Sequence, residues 1–323
     1  MSIRNMPVDQ RNARPAPGLV MRVGLPHRGG KLAFHAFNND YPVMVSANAF
    51  WNPATRRFHF PQASDIEELD FAVDSAGFTA MKLWQSKGQQ QGIAGIFPWT
   101  YAQYIEFATS IGAAWWAQPD LCCEPEIARN QDEIDYRVDA TATLLEGTLR
   151  VVHHWQAELA KTCSQRVVMN LLQPPVPVIQ GWSASDYLRS LDLLLQVWER
   201  WRPWYAPPAL IGIGSVCRRS LHHPTHGLFA ILAALEGHLP AGSRLHMFGV
   251  KGSALSELKM FDFVASADSM AYDFGARMTA RKRGASNSIA HRSAEMSRWM
   301  TAAQERLRPA AGDQLRLSFT TDQ

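Results

Sequence analysis

What most constrains this chain is an alternation. Short apolar runs, a few residues each, are separated by longer stretches whose apolar residues recur every three or four positions. The first pattern suits a strand buried on both faces and the second an amphipathic helix, so their repetition predicts a parallel sheet wrapped by helices. Strands are expected in KLAFHAF from 31, PVMVSANAF from 42, DFAVDS from 70, AAWWAQPD from 113, VPVIQG from 176, LIGIGSV from 210, RLHMFGV from 244 and FDFVASAD from 261. Between them PWTYAQYIEFATSIG, the long segment beginning EIDYRV, ASDYLRSLDLLLQVWERW and THGLFAILAALEGHL carry helical spacing. Eight strands suggest closure into a single (β/α)8 TIM barrel over residues 31–323, ending in a basic helical extension. Residues 1–30, rich in Arg, Pro and Gly, read as an extended N-terminal arm outside the core.

Composition agrees with a large packed core, since hydrophobic residues make up 46% of the 323 and charged ones 19%, outside the disordered class. The net charge of +3 is small, but its distribution is uneven. From Arg277 to Arg298 the chain carries Arg277, Arg281, Lys282, Arg283, Arg292 and Arg298. A segment of that kind suits phosphate contact, or else a solvated helix face. Cys122, Cys123, Cys163 and Cys217 have no disulfide-framework spacing, and no apolar run reaches the roughly 20 residues of a membrane span, so a cytoplasmic protein is expected. Cys217, His222, His223 and His226 crowd together, but without a second ligand pair they read as a helix-start loop. No metal or cofactor is expected. Paired tryptophans such as Trp115 and Trp116, and Trp198, Trp201 and Trp204, read as packing residues.

In (β/α)8 barrels the chemistry sits at the C-terminal ends of the strands. Polar residues occur at several predicted strand ends, Asn48, Asp74, Asp120, Gln180, Ser215 and Asp268, where each could also cap a helix or make a turn. Two carboxylates meeting in such a mouth can serve as nucleophile and acid/base in displacement at a sugar C1′. That pairing leaves open whether a sugar is hydrolysed or a nucleobase exchanged.

The pocket residues narrow the choice. DSAGF at 74–78 resembles the Asp-Ser-Gly-Gly-Phe motif of the tRNA-guanine transglycosylases, and VIQGWSASDYLR at 178–189 their Gln-Gly strand and following helix. IGIGSV at 211–216 is similar to their Gly-Gly-Leu turn, HMFGVKG at 246–252 to their Met-Gly-Val strand, and ADSMAYDFGAR at 267–277 to the Asp-Ser-Ala-x-Tyr segment of the archaeal branch. Order and spacing agree from about residue 40 to 277. Within the superfamily the chain most resembles the DpdA branch, which places a 7-deazaguanine in DNA: it carries SVCRR at 215–219, and no cysteine follows Cys217 to build the zinc site of the tRNA enzymes.

The resemblance implies a pentosyltransferase that exchanges guanine in DNA for a 7-deazaguanine base of the preQ0 type, with helper proteins of a DNA-modification system as further partners. Asp268 would be the nucleophile and Asp74 the acid/base. Asp120 would read the N1–H and 2-amino donors of the purine, with Gln180, Gly181 and the backbone N–H groups near Gly214 and Ser215 on the O6 side. Phe78 and Phe248 would sandwich the base, and Arg277, Arg281, Lys282 and Arg283 would contact the DNA. Asp262 competes for the nucleophile's role, because Met-Phe-Asp-Phe-Val at 260–264 resembles the bacterial Met-Phe-Asp-Cys-Val. The expected start of the last strand at 261 would put Asp262 at the opposite pole from the mouth. A tRNA transglycosylase lacking zinc, a non-catalytic nucleic-acid-binding relative and an unrelated barrel glycosidase are the other readings.

Overall fold

A computed structural model describes residues 18–26, 30–59 and 65–308. Eight parallel strands form one sheet: β1 (Val20–Leu25), β2 (Val43–Ser46), β5 (Phe71–Asp74), β6 (Trp115–Trp116), β7 (Val178–Ile179), β8 (Leu210–Ile213), β9 (Arg244–Met247) and β10 (Val264–Ser269). Their spatial order is β6-β5-β2-β1-β10-β9-β8-β7, and β3 (Trp51–Asn52) with β4 (Arg57–Phe58) makes a separate hairpin. The helices are α1 (Lys31–Asn38), α2 (Gly77–Lys87), α3 (Tyr101–Ser110), α4 (Gln131–Leu159), α5 (Gln165–Leu171), α6 (Ala184–Trp201), α7 (Leu228–Leu235), α8 (Leu255–Leu258), α9 (Ala271–Arg283) and α10 (Ile289–Leu307).

The sheet curls in the manner of a TIM barrel. β6 and β9 lie far apart in strand order, yet the rings of Trp115 and His246 meet at 4.8 Å. Only a curved sheet brings these inward side chains together. At the two sheet edges Ala117 and Val176 form an isolated parallel bridge, with Val176 N–H donating to the Trp116 carbonyl at 2.8 Å. Outside the sheet α4 packs on α6, α6 on α7 and α9 on α10. The α6 start is fixed by a capping box in which Ser183 Oγ accepts from the Asp186 N–H and Asp186 accepts from the Ser183 N–H. No helix among the described residues is long and apolar enough to cross a membrane.

Two expectations need correction. The segment from Lys31 is α1 rather than a strand: Leu32, Ala33 and Ala36 are buried on one face while Phe34 and Phe37 are exposed, a helical spacing that its β-prone phenylalanines disguised. The first strand is instead β1, inside the supposed N-terminal arm. It lies between β2 and β10, with Val23 fully buried. Its inward Arg22 made VMRVGL look unlike a core strand. The arm assignment therefore fails for residues 20–25, and residues 1–17 lie outside the described part of the chain.

Candidate active site

Asp74 ends β5, beside Ser46 at the end of β2. The chain turns sharply after it. Ala76 sits in the left-handed region at φ 61°, and its N–H donates to Asp74 Oδ1 at 2.6 Å. Gly77 then starts α2 so close to the next loop that a Cβ there would stand 2.5 Å from the Asp120 carbonyl oxygen. Burial raises the Asp74 carboxyl to about 7; the Ala76 N–H and Ser46 oppose this, while the charges of Asp268 and Asp120 add to it. A carboxyl near 7 is suited to giving and retaking a proton at neutral pH.

Asp120, buried in the loop beyond β6, accepts from the Ser75 hydroxyl on Oδ1 and from Gln180 Nε2 on Oδ2. Gln180, at the end of β7, is fully buried and lies between Asp120 and Ser215, whose Oγ is 2.6 Å from Gln180 Oε1. Ser215 Oγ accepts from the Cys123 N–H at 2.6 Å and lies 3.1 Å from Glu124 Oε2. Burial raises the carboxyls of both Asp120 and Glu124 above the usual range. The loops after β7 and β8 are locked together by buried Arg219, which donates to the carbonyls of Ser215, Gly181, Trp182 and His226 and stacks on Trp182 at 4.0 Å.

Asp268 lies on the inner face of β10, register partner of Arg22 on β1. Its Oδ1 accepts from the Gly249 N–H at 2.9 Å and is 3.4 Å from His246 Nε2. Asp74 is thus within electrostatic reach of both Asp268 and Asp120. Asp262 is elsewhere: it lies in an exposed turn before β10, and its carbonyl accepts from Arg244 Nε. β10 begins only at Val264, so the six-residue separation does not run along one strand.

Other predicted residues are placed differently. The Gly214 N–H donates to the Ile179 carbonyl at 3.0 Å, extending the sheet ladder one residue beyond β8, so it is not free for a purine O6. Gly181 offers its carbonyl to Arg219. Phe248 rests edge-on against His246 at 4.6 Å and lies close over Gly212, whereas Phe78 is exposed on the first turn of α2 near Lys82. No ring contact joins the two phenylalanines. Asn48 is exposed in the turn after β2. Arg277, Arg281, Lys282 and Arg283 lie exposed on α9, the helix that follows Asp268. Arg277 leans on buried Asp273 at 3.5 Å, which Arg292 also pairs at 2.6 Å. No three His, Cys, Asp or Glu side chains among the described residues are grouped to hold a metal.

The family model DpdA, DeoxyPurine in DNA protein A, matches residues 40–318. The chain belongs to the DpdA family. Every site residue above from Asp74 to Arg283 falls inside that span, while β1, with Arg22, precedes it. A search of curated proteins found no match to this DpdA-family chain.

Sequence reading missed Arg22, Glu124, Arg219 and His246 in this DpdA-family site. Arg22 and His246 had a usable signal, a polar residue at an inward position of an apolar strand. Glu124 and Arg219 sit in loops, where nothing local marks a charged residue as buried.

Proposed function

We propose that this chain is a DNA-guanine transglycosylase, which replaces guanine in DNA by a 7-deazaguanine base of the 7-cyano type on a closed (β/α)8 barrel. The observation that carries this reading is the placement of Asp74 at the end of β5 and Asp268 near the end of β10, within electrostatic reach of each other, with Asp74 raised to about 7 chiefly by burial. Such a pair divides the labour of a two-step displacement.

Asp268 attacks C1′ of the target deoxyguanosine. The C1′–N9 bond breaks with its electron pair going to the purine, a proton from Asp74 lets guanine leave neutral, and a C1′–O ester remains on Asp268. Asp74, now ionised, takes a proton from the incoming deazaguanine, whose ring nitrogen attacks C1′ and releases Asp268. The Asp120 carboxylate, held by Ser75 and Gln180, keeps lone pairs for two parallel N–H donors of a guanine-like edge. Reaching C1′ requires that the nucleotide be turned out of the stack, and the exposed cations of α9, concentrated in its last turn, suit phosphates farther along the strand.

The test is base exchange measured side by side on DNA and tRNA, using radiolabelled guanine and 7-cyano-7-deazaguanine. Incorporation into DNA alone is expected. Incorporation into tRNA alone, or none in either, overturns the reading. Mass spectrometry of nucleosides from cells with and without the gene gives the same answer in vivo.

A further inference from the structure

Resting on that reading, we propose that His246 is a positioning residue for the nucleophile: fixed by Ser266, it donates through Nε2 to Oδ1 of Asp268 and leaves Oδ2 as the attacking oxygen.

The argument starts from register. Ser266 and Asp268 stand two residues apart on β10 and so face the same side, and Ser266 pairs with His246 on β9. The imidazole is fully buried, with Nδ1 2.7 Å from Ser266 Oγ. Nε2 has no hydrogen-bond partner, and the acceptor it faces is Asp268 Oδ1 at 3.4 Å. A buried N–H left unsatisfied is costly, so this one has a standing drive toward the carboxylate. The separation is long for a hydrogen bond, as catalytic contacts often are before substrate is bound.

The tautomer follows from the partners. Burial lowers the proton affinity of His246, Arg22 on β1 lowers it further, and Asp268 opposes both; the rings packed on it, Trp115 from β6 and Phe248, are uncharged. With a neutral ring, the nitrogen that faces the acceptor-only carboxylate, Nε2, carries the single proton, and the Ser266 hydroxyl, able to donate or accept, then donates to Nδ1. Oδ1 then receives two donors, His246 and the Gly249 N–H. No hydrogen bond reaches Oδ2 among the described residues. Two donors on one oxygen orient the carboxylate and stabilise it as it is released in the second step, while the unbonded oxygen forms the bond to C1′.

The experiment compares wild type, His246→Leu, His246→Gln and Ser266→Ala in single-turnover formation of the covalent DNA adduct across pH, alongside affinity for DNA and for 7-cyano-7-deazaguanine. His246→Leu is expected to slow adduct formation about 100-fold, the scale for losing one preorganised donor, and to shift the acid limb of its profile to higher pH. Affinities should stay within about twofold. His246→Gln, whose Nε2 reaches the same place, should recover most of the rate. An unchanged rate in a folded His246→Leu variant, or a Gln variant as slow as Leu, overturns the proposal and leaves the transglycosylase reading intact. A wild-type protein that forms no adduct removes both. Should the Leu variant not fold, nitrogen-15 NMR of histidine in the wild type decides: the Nε2–H tautomer supports the assignment, and the Nδ1–H tautomer overturns it.

Discussion

Gln180 holds Asp120 through its amide nitrogen while its amide oxygen faces the hydroxyl of Ser215. An ionised Asp120 favours this orientation of the amide. Turned over, its oxygen would meet the carboxylate and its NH2 a serine that already accepts from the Cys123 N–H. The pocket floor is therefore set before any purine arrives.

Gly214 makes that orientation sensitive to a single methyl group. A Cβ there would stand 2.1 Å from Gln180 Nε2, so Gly214→Ala should push the amide off Asp120. Losing a hydrogen bond to a charged group costs about 1.5–3 kcal/mol, and 7-deazaguanine affinity should fall roughly 10- to 100-fold. Calorimetric titration of the variant with 7-cyano-7-deazaguanine checks this; wild-type affinity would mean that Gln180 does not organise the base site.

Replacing Asp268 by Ala should abolish the covalent adduct on denaturing gels while DNA binding survives, and Asp262→Ala should form the adduct normally. Asp262 is exposed before β10, whereas Asp268 faces inward beside His246. An adduct that persists without Asp268 and disappears without Asp262 would transfer the role.

Ala76 and Gly77 invite opposite substitutions. Ala76 occupies the first glycine position of the Asp-Ser-Gly-Gly-Phe pattern with φ 61°, where a Cβ is strained, so Ala76→Gly should gain about 0.5–1 kcal/mol. At Gly77 the limit is space, a Cβ there meeting the Asp120 carbonyl oxygen, so Gly77→Ala should destabilise the fold and disturb Asp120. Thermal unfolding should show the first variant about 1–3 °C above wild type and the second below it.

Those two positions also show what could be read in advance. Seven of the eight expected strands exist because each carries a recognisable cluster of buried apolar residues, even where a polar side chain such as His246 points inward. The failures fell where inward chemistry interrupts the pattern or where apolar residues divide between two faces, Arg22 in β1 and the phenylalanines of α1. Asp74, Asp120, Gln180 and Asp268 were legible because strand ends are predictable places. The partners that hold them were less so. Arg219 joins its own loop, at Ser215 and His226, to the loop after β7 at Trp182, and the Trp182 contact depends on tertiary closure that no local window contains.

Asp74 should set the alkaline limb of adduct formation. Guanine departure uses its protonated form, so the single-turnover rate should fall about tenfold per pH unit above about 7. Stability carries the same sign. Folded Asp74 holds its proton more tightly than the unfolded chain does, so its stabilisation is complete below the ordinary value of 3.8 and is lost as pH rises through about 7. Asp74→Asn removes that dependence, and above pH 7 it should be the more stable protein while lacking turnover. Denaturant unfolding at several pH values tests the claim, and parallel stability curves for the two proteins would refute it.

The basic last turn of α9 makes a separate prediction: the helix starts where β10 ends beside the mouth, and Arg281, Lys282 and Arg283 stand at its other end, roughly 15 Å along the axis, where they can meet only phosphates away from the target nucleotide. Arg277 is partly occupied by Asp273, but no ion pair among the described residues engages Arg281, Lys282 or Arg283. Exposed cations without protein partners are free to displace counterions from DNA. The Arg281/Lys282/Arg283 triple alanine variant should therefore bind DNA more weakly at low salt, to a similar degree for all sequences, and lower the slope of log affinity against log salt by about 0.7–0.9 for each phosphate that is no longer neutralised. Catalysis on saturating DNA should be little changed, since none of the three touches Asp74, Asp120 or Asp268. A salt series by fluorescence anisotropy decides the matter: an unchanged slope would mean that these side chains form a solvated helix face and that DNA enters across another side of the mouth.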